Sequence, residues 1–272
     1  MCLISLAWQL HPDYPLVLLA NRDEFYDRPT AHLQYWEDHP QLLAGRDLQQ
    51  GGTWLGLSRQ GRLAAVTNFR NGQREQDKRS RGDLTRSFLC SALPAEDWIQ
   101  RHQAEFDQYG GFNLLLGDSQ GLWYCSNRTP GYRKLEPGIY GMSNALLDTP
   151  WPKLQQLKQR LGEAIAHGAL EEDQLLQMMR NEQTFADQLL PDTGISLPWE
   201  RSLSACFIRL ENYGTRASSL VTQSSSGQVR FIEQRFDASG SAGRSAIELQ
   251  GFTLGSDTLC DQSNLSPALL GG

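Results

Sequence analysis

The 272-residue sequence contains no apolar run approaching the ~20 residues that span a bilayer. Its longest candidates, residues 3–8 and 16–20, suit buried strands. The opening residues, MCLISLAWQLHPDYP, lack the positive start and small-residue cleavage site of a secretory signal. These absences predict a cytoplasmic chain without a transmembrane segment. Cysteine is sparse, with five residues at positions 2, 90, 125, 206 and 260 and no Cys-x-x-Cys. None of the five histidines forms an i, i+4 pair, so neither a disulfide framework nor a resident metal is expected. Basic charge is also short: 25 Lys and Arg face 31 Asp and Glu, for a net charge of −6. A net negative surface disfavours polyphosphate backbones, so no nucleic-acid partner is expected.

What remains is the composition of a folded chain, with 39% hydrophobic residues and seven Trp, eight Tyr and ten Phe. Strands are expected at 3–8 and 16–20, around the turn signal His-Pro-Asp-Tyr-Pro, and at 54–58 and 63–67 around Arg-Gln-Gly. Residues 69–82 are rich in Arg and Lys and read as an exposed loop. Helical spacing covers 83–92 and 95–109, strands return at 112–116, 122–125 and 139–143, and amphipathic helices follow at 151–167 and 171–181. The last third reads as strands at 203–210, 217–222, 229–236 and 247–253. Strands and helices come in blocks without regular βαβ alternation. That order favours an α+β fold of layered antiparallel sheets. One domain over 1–254 is expected, with a disordered tail at 255–272.

Cys2 would become the terminal residue on loss of Met1. A terminal Cys offers a thiol nucleophile with an ordinary pKa of ~8.5 and an α-amine near ~7.7–8.0 that can serve as its base. Asn21-Arg22-Asp23-Glu24 follows directly on the second apolar run. There Arg22 would lower the Cys2 thiol pKa or hold a carboxylate, and Asp23 would orient the terminal amine. Asn68 and Asn144 each close a strand, and two such amides from separate strand ends can donate to a developing oxyanion. Tyr213-Gly214-Thr215-Arg216 is a turn into a strand, with Arg216 available as an anion clamp. Arg70 and Arg74, in the basic loop beside Asn68, would draw anionic ligands by their local field. Gly51-Gly52-Thr53-Trp54-Leu55-Gly56 has no helix after it and is not a phosphate loop.

Taken together, Met1-Cys2, Ala20-Asn21-Arg22-Asp23-Glu24-Phe25, Gly51-Gly52-Thr53-Trp54-Leu55-Gly56, Thr67-Asn68, Gly111-Phe112-Asn113-Leu114, Tyr140-Gly141-Met142-Ser143-Asn144-Ala145-Leu146, Thr149-Pro150-Trp151 and Tyr213-Gly214-Thr215-Arg216 resemble the transport and Golgi organization 2, or NRDE, family. The resemblance spans roughly residues 1–254. It implies a four-layer αββα sandwich of two antiparallel sheets, similar to the N-terminal nucleophile hydrolases. It also implies likeness to amidases that cleave non-peptide amides with an N-terminal Cys. By that likeness Cys2 matches the nucleophile, Arg22 an active-site arginine, and Asn68 and Asn144 the oxyanion positions. Those amidases separate their Arg and Asp by one residue, whereas Asp23 directly follows Arg22, so either Asp23 or Glu24 is the acidic partner. Residues 205–208 lack the late arginine of those enzymes, leaving Arg216 as the available substitute. The implied activity is attack on an amide or thioester acyl bond, with no required cofactor. The alternative is a carrier that binds haem or an acyl-CoA-like lipid in the same pocket, with Arg22, Arg70 or Arg74 pairing its acidic groups.

Overall fold

Among the residues that the computed structural model describes, 2–73, 78–252 and 254–255, thirteen strands form two antiparallel sheets. The chain begins with β1 (Cys2–Trp8), β2 (Leu16–Phe25), β3 (Thr30–Tyr35), β4 (Leu42–Asp47), β5 (Leu55–Ser58) and β6 (Arg62–Asn68). Helices α1 (Gly82–Leu89) and α2 (Ala95–His102) follow, then β7 (Phe112–Asp118), β8 (Gly121–Ser126), β9 (Tyr132–Lys134) and β10 (Gly138–Met142). After α3 (Pro152–His167), α4 (Glu172–Met178) and α5 (Leu197–Ser202) come β11 (Tyr213–Gln223), β12 (Val229–Asp237) and β13 (Gly240–Leu249). One sheet runs β10-β1-β2-β11-β12-β13 and the other β3 through β9 in chain order.

Strand alternation sorts the side chains into three cores. On β1, Ile4, Leu6 and Trp8 point to the opposite sheet, while Leu3 and Ala7 meet α3 and α4. Leu16, Leu18 and Ala20 of β2 join the inter-sheet core, and Val17 and Leu19 join the helix side. In the second sheet Leu63 and Ala65 face inward, while Ala64 and Val66 pack under Phe88, Leu89 and Trp98 of α1 and α2. The layers are therefore helix, sheet, sheet, helix. Helix α3 fits its place because Leu154, Leu157, Leu161 and Ile165 share one stripe, Pro152 opens its first turn and Gly168 closes it at φ 65°.

Several expected boundaries shift. Strand β2 runs to Phe25, so Asn21-Arg22-Asp23-Glu24 lies within the strand, held by β1 on one side and β11 on the other. The helix expected over 95–109 ends at His102 and continues as a 3-10 turn over Gln103–Gln108. Residues 203–210 are not a strand. The apolar side chains of 203–208 are buried, but the backbone meets the sheet at Ile208, which exchanges hydrogen bonds with Thr215, at a bridge from Arg209 to Gly214 and at the Leu210 N–H, which donates to the Tyr213 carbonyl. The final strand lies at Gly240–Leu249, earlier than expected. Strands β3, β4 and β9 add to those expected. Beyond Gly255 the expected tail lies outside the described residues.

Candidate functional site

The two sheets meet at one end in a cavity of about 390 Å³ lined by Cys2, Arg22, Glu24, Trp54 and Asn68, with Lys78–Gly82 along its far wall. Strand register explains the first two. Cys2 pairs with Arg22. Both have the parity of the inward-facing residues of their strands, Ile4 and Leu6 on β1 and Leu18 and Ala20 on β2. The thiol of Cys2 is free and half-buried. Burial pushes its pKa up, and the Arg22 guanidinium opposes that rise without reversing it. At neutral pH the thiol is protonated, so attack requires a base.

Arg22 is only 5% exposed. Its guanidinium stacks 4.4 Å from the Trp54 ring, donates from Nη1 to Thr30 Oγ1 at 3.2 Å and lies 3.8 Å from Asp47. It lies within ion-pair range of the Asp47 carboxylate, while the pKa of the thiol beside it stands raised and not lowered. Asp47 is bound more closely by Arg28, at 2.8 Å. Glu24 reaches Arg28 at 3.7 Å and accepts from the Phe25 backbone at 2.9 Å.

The neighbouring side chains on β2 take the opposite side of the sheet. Asn21 donates to the carbonyls of Met179 and Cys206, both at 2.9 Å, and accepts from Ser218 at 2.6 Å. Asp23, 1% exposed, accepts from Thr215 Oγ1 at 2.7 Å. Burial raises the Asp23 carboxyl above its ordinary range, while Lys153 and the Thr215 hydrogen bond lower it. Lys153 is itself buried on α3 and donates to the Leu203 carbonyl at 2.7 Å. Burial lowers its pKa, and Asp23 acts to raise it. Strand alternation thus divides the four-residue motif, with Arg22 on the cavity side and Asn21 and Asp23 joined to the helix side. Asp23 is still among the residues that line the cavity.

The two asparagines take different places. Asn144 is 1% exposed and does not line the cavity. Its Nδ2 donates to Asn68 Oδ1 at 3.0 Å and to the Asn68 carbonyl at 3.1 Å. Because Asn68 Oδ1 is taken as an acceptor, its Nδ2 is the end left to donate, and it has no hydrogen-bond partner among the described residues. Behind this pair runs a buried chain. Tyr124 donates to Asn113, Asn113 to Thr67 and the Ala145 carbonyl, Thr67 to the Ser143 carbonyl, and Ser143 to the Cys2 carbonyl. It joins the sheet that carries Asn68 to the sheet that carries Cys2.

The expected anion-binding arginines scatter. Arg70 lies away from the cavity, 9% exposed, with its Nη2 2.6 Å from Glu200, its Nε 2.8 Å from Thr193 and its guanidinium over Trp151. Arg74 lies outside the described residues. Arg216 sits in a bulge of β11, between Thr215 and Ala217, and faces a second, smaller cavity. Besides Arg22, the cations that line the main cavity are Arg28 and, from the basic loop, Lys78, Arg79 and Arg81. Lys78 donates to the Asp107 carbonyl at 2.6 Å and Arg81 to the Gly111 carbonyl at 2.8 Å. Gly52 explains the glycine pair ahead of Trp54. A Cβ there would lie 2.5 Å from the Gly82 backbone, so only glycine lets this wall close. Among the described residues no cluster of three or more His, Cys, Asp or Glu side chains is placed to hold a metal, and no helix is long and apolar enough to cross a membrane.

Among solved structures, the chain resembles a Caenorhabditis elegans ortholog of N-acylethanolamine-hydrolyzing acid amidase. The match has 10% identity, covers 80% of this chain and 92% of that one, and has a TM-score of 0.47. It also resembles a mutant conjugated bile acid hydrolase from Clostridium perfringens, with 8% identity, 93% and 94% coverage and a TM-score of 0.41. Overlaps of this size carry nothing about chemistry. Sequence similarity is far stronger. The Transport and Golgi organization 2 homolog of Mus musculus is 37% identical over 255 residues, spanning 86% of this chain and 92% of that protein. The Homo sapiens homolog is 36% identical with the same coverage, and the Drosophila melanogaster protein is 28% identical. Residues 1–238 match the family model described as Transport and Golgi organisation 2, and the chain belongs to that family.

Proposed function

We propose that the cavity is the active site of an acyl-bond hydrolase acting on an amide or thioester, with Cys2 as nucleophile. The observation that supports this most is the placement of a free Cys2 thiol in one cavity with an Asn68 amide whose donor end is unclaimed and with the Arg22 guanidinium. In the proposed reaction Met1 is removed, and the Cys2 α-amine takes the thiol proton. Sulfur attacks the carbonyl carbon to form a C–S bond, and the oxyanion is held by Asn68 Nδ2. The C–N or C–S bond of the substrate then breaks, with the α-ammonium returning the proton to the leaving group. Water releases the acyl group from Cys2 as a carboxylic acid. Asn144 is a positioning residue because it acts only through Asn68. Asp23, which lines the same cavity as Cys2, is the proposed partner for the terminal ammonium. The raised thiol pKa suits this scheme, since a protonated thiol needs a base close by.

Intact mass of the purified protein tests the first step. The expected mass lacks Met1, and retention of Met1 overturns the α-amine mechanism. A second reading, binding without catalysis of haem or an acidic acyl lipid, draws on Lys78, Arg79 and Arg81 along the cavity wall. It predicts a saturable haem Soret shift that diminishes in Cys2→Ala, and a flat titration discards it.

A further inference from the structure

Across the first sheet, one registered row runs beyond Cys2. Cys2 pairs with Arg22, Arg22 with Ala217, Ala217 with Arg235, and Arg235 with Gly243. A second cavity, of about 180 Å³, lies along this row. It shares Arg22 and Trp54 with the Cys2 cavity, so the two cavities adjoin at this stacked pair. Ala217 keeps the row low between two arginines, and the bulge of β11 brings Arg216 to the same chamber.

The chamber has donors without acceptors. Arg22 has five N–H donors and, among the described residues, only the hydrogen bond to Thr30. Arg216 uses Nε and Nη1 on the carbonyls of Phe236, Phe25 and Arg28, and its Nη2 makes no hydrogen bond to a described residue. Arg235 donates from Nη1 to Ser245. The two carboxylates of the chamber, Glu233 and Asp237, make no hydrogen bond to Arg22 or Arg216. Glu233 accepts from the Leu33 backbone at 2.9 Å and lies 3.7 Å from Arg235, while Asp237 accepts from the Ser239 backbone and hydroxyl. A guanidinium as buried as Arg22 is costly unless its N–H groups find acceptors.

We infer that this second chamber is a substrate subsite for a carboxylate, held between Arg22 and Arg216 beside Trp54. As a substrate subsite it rests on the hydrolase reading above, and it specifies the substrate class: an acyl compound with a carboxylate remote from the bond that is cleaved. Neighbouring strands are about 4.8 Å apart, so along this row the backbones of Arg22 and Ala217 lie roughly 5 and 10 Å from that of Cys2. Short dicarboxylic chains span this distance. A planar carboxylate matches the guanidinium fork in a way that a neutral amide does not.

The test uses a probe that is not turned over. Glutarate and its neutral diamide are titrated into Cys2→Ala protein by calorimetry, with circular dichroism to confirm folding of each variant. Glutarate is expected to bind saturably and the diamide at least tenfold more weakly. Arg216→Gln should weaken glutarate binding at least tenfold. Ala242→Trp, which fills the chamber from an exposed position on the edge strand β13 without removing a charge, should abolish it. The inference is overturned if glutarate does not bind, if the diamide binds equally well, or if Ala242→Trp leaves binding unchanged. Because Cys2 is absent, failure here leaves the nucleophile untouched. Binding that persists alongside an inert Cys2 removes the reaction and keeps the subsite.

Discussion

Asn113 connects the sheet of Asn68 to the loop that carries Asn144, and Asn113→Leu measures what that connection contributes. Asn113 is fully buried and makes three side-chain hydrogen bonds: 2.8 Å from the Tyr124 hydroxyl, 3.1 Å to Thr67 Oγ1 and 2.8 Å to the Ala145 carbonyl. Leucine keeps the γ-branched shape of asparagine without its polar atoms and leaves no cavity, so the cost is chiefly polar. At about 1 kcal/mol net for each bond, with a further 1–3 for the buried Ala145 carbonyl left without its donor, the loss is about 4–6 kcal/mol. Tyr124 retains one contact, since its hydroxyl also accepts from the Leu147 backbone at 3.2 Å. Tyr124→Phe alone removes both hydroxyl bonds, to Asn113 and from Leu147, and should cost about 2 kcal/mol. The double variant should fall short of the sum by about 1 kcal/mol, because one bond is shared. Urea unfolding followed by tryptophan fluorescence gives all three values. If Asn113→Leu costs less than about 1 kcal/mol, or the double variant is strictly additive, the chain of bonds does not hold the sheets together.

Glu200→Ala should destabilise the fold by about 3–5 kcal/mol, because it strands the buried Arg70 guanidinium, whereas Arg70→Met with Glu200→Leu should recover most of that loss in the same urea assay. Burial raises the Glu233 carboxyl, so the folded state holds that proton more tightly than the unfolded one. Stability then falls as pH rises from the ordinary carboxylate range through the raised folded value, and Glu233→Gln should flatten that part of the pH–stability curve while leaving the acid side unchanged. Gly52→Ala should cost about 1–3 kcal/mol and lower the melting temperature, since its Cβ meets backbone at Gly82 that cannot rotate away.

The architecture was legible where the strands are buried on both sides. Residues 3–8, 16–20 and 63–67 are nearly unbroken apolar runs, because alternate side chains enter two different cores. Strand β3 has no such run. His32 and Gln34 are exposed in its middle, so its pairing with β4 comes from the sheet and not from its own pattern. Residues 203–208 failed for the opposite reason, being apolar and buried but with little backbone paired. In the site, Cys2, Arg22 and Asn68 could be named because each lies at or near a strand end beside an apolar segment. The lesser role of Asn144, the enclosure of Arg70 by Glu200 130 residues away, and the arrival of Lys78–Gly82 at the cavity depend on contacts between distant segments. Gly51-Gly52 was the one local signal for that wall, and its reason, the closeness of Gly82, is tertiary.

Acyl transfer from an activated ester such as p-nitrophenyl acetate, read by intact mass and peptide mapping, tests the central proposal most directly. The exposed thiol of Cys90 serves as an internal reference. The acyl group should appear on Cys2 ahead of Cys90, and Asn68→Ala should slow its appearance by about 10²–10³ with the fold intact. Acylation confined to Cys90, or a Cys2 rate indifferent to Asn68→Ala, contradicts a nucleophile served by that amide.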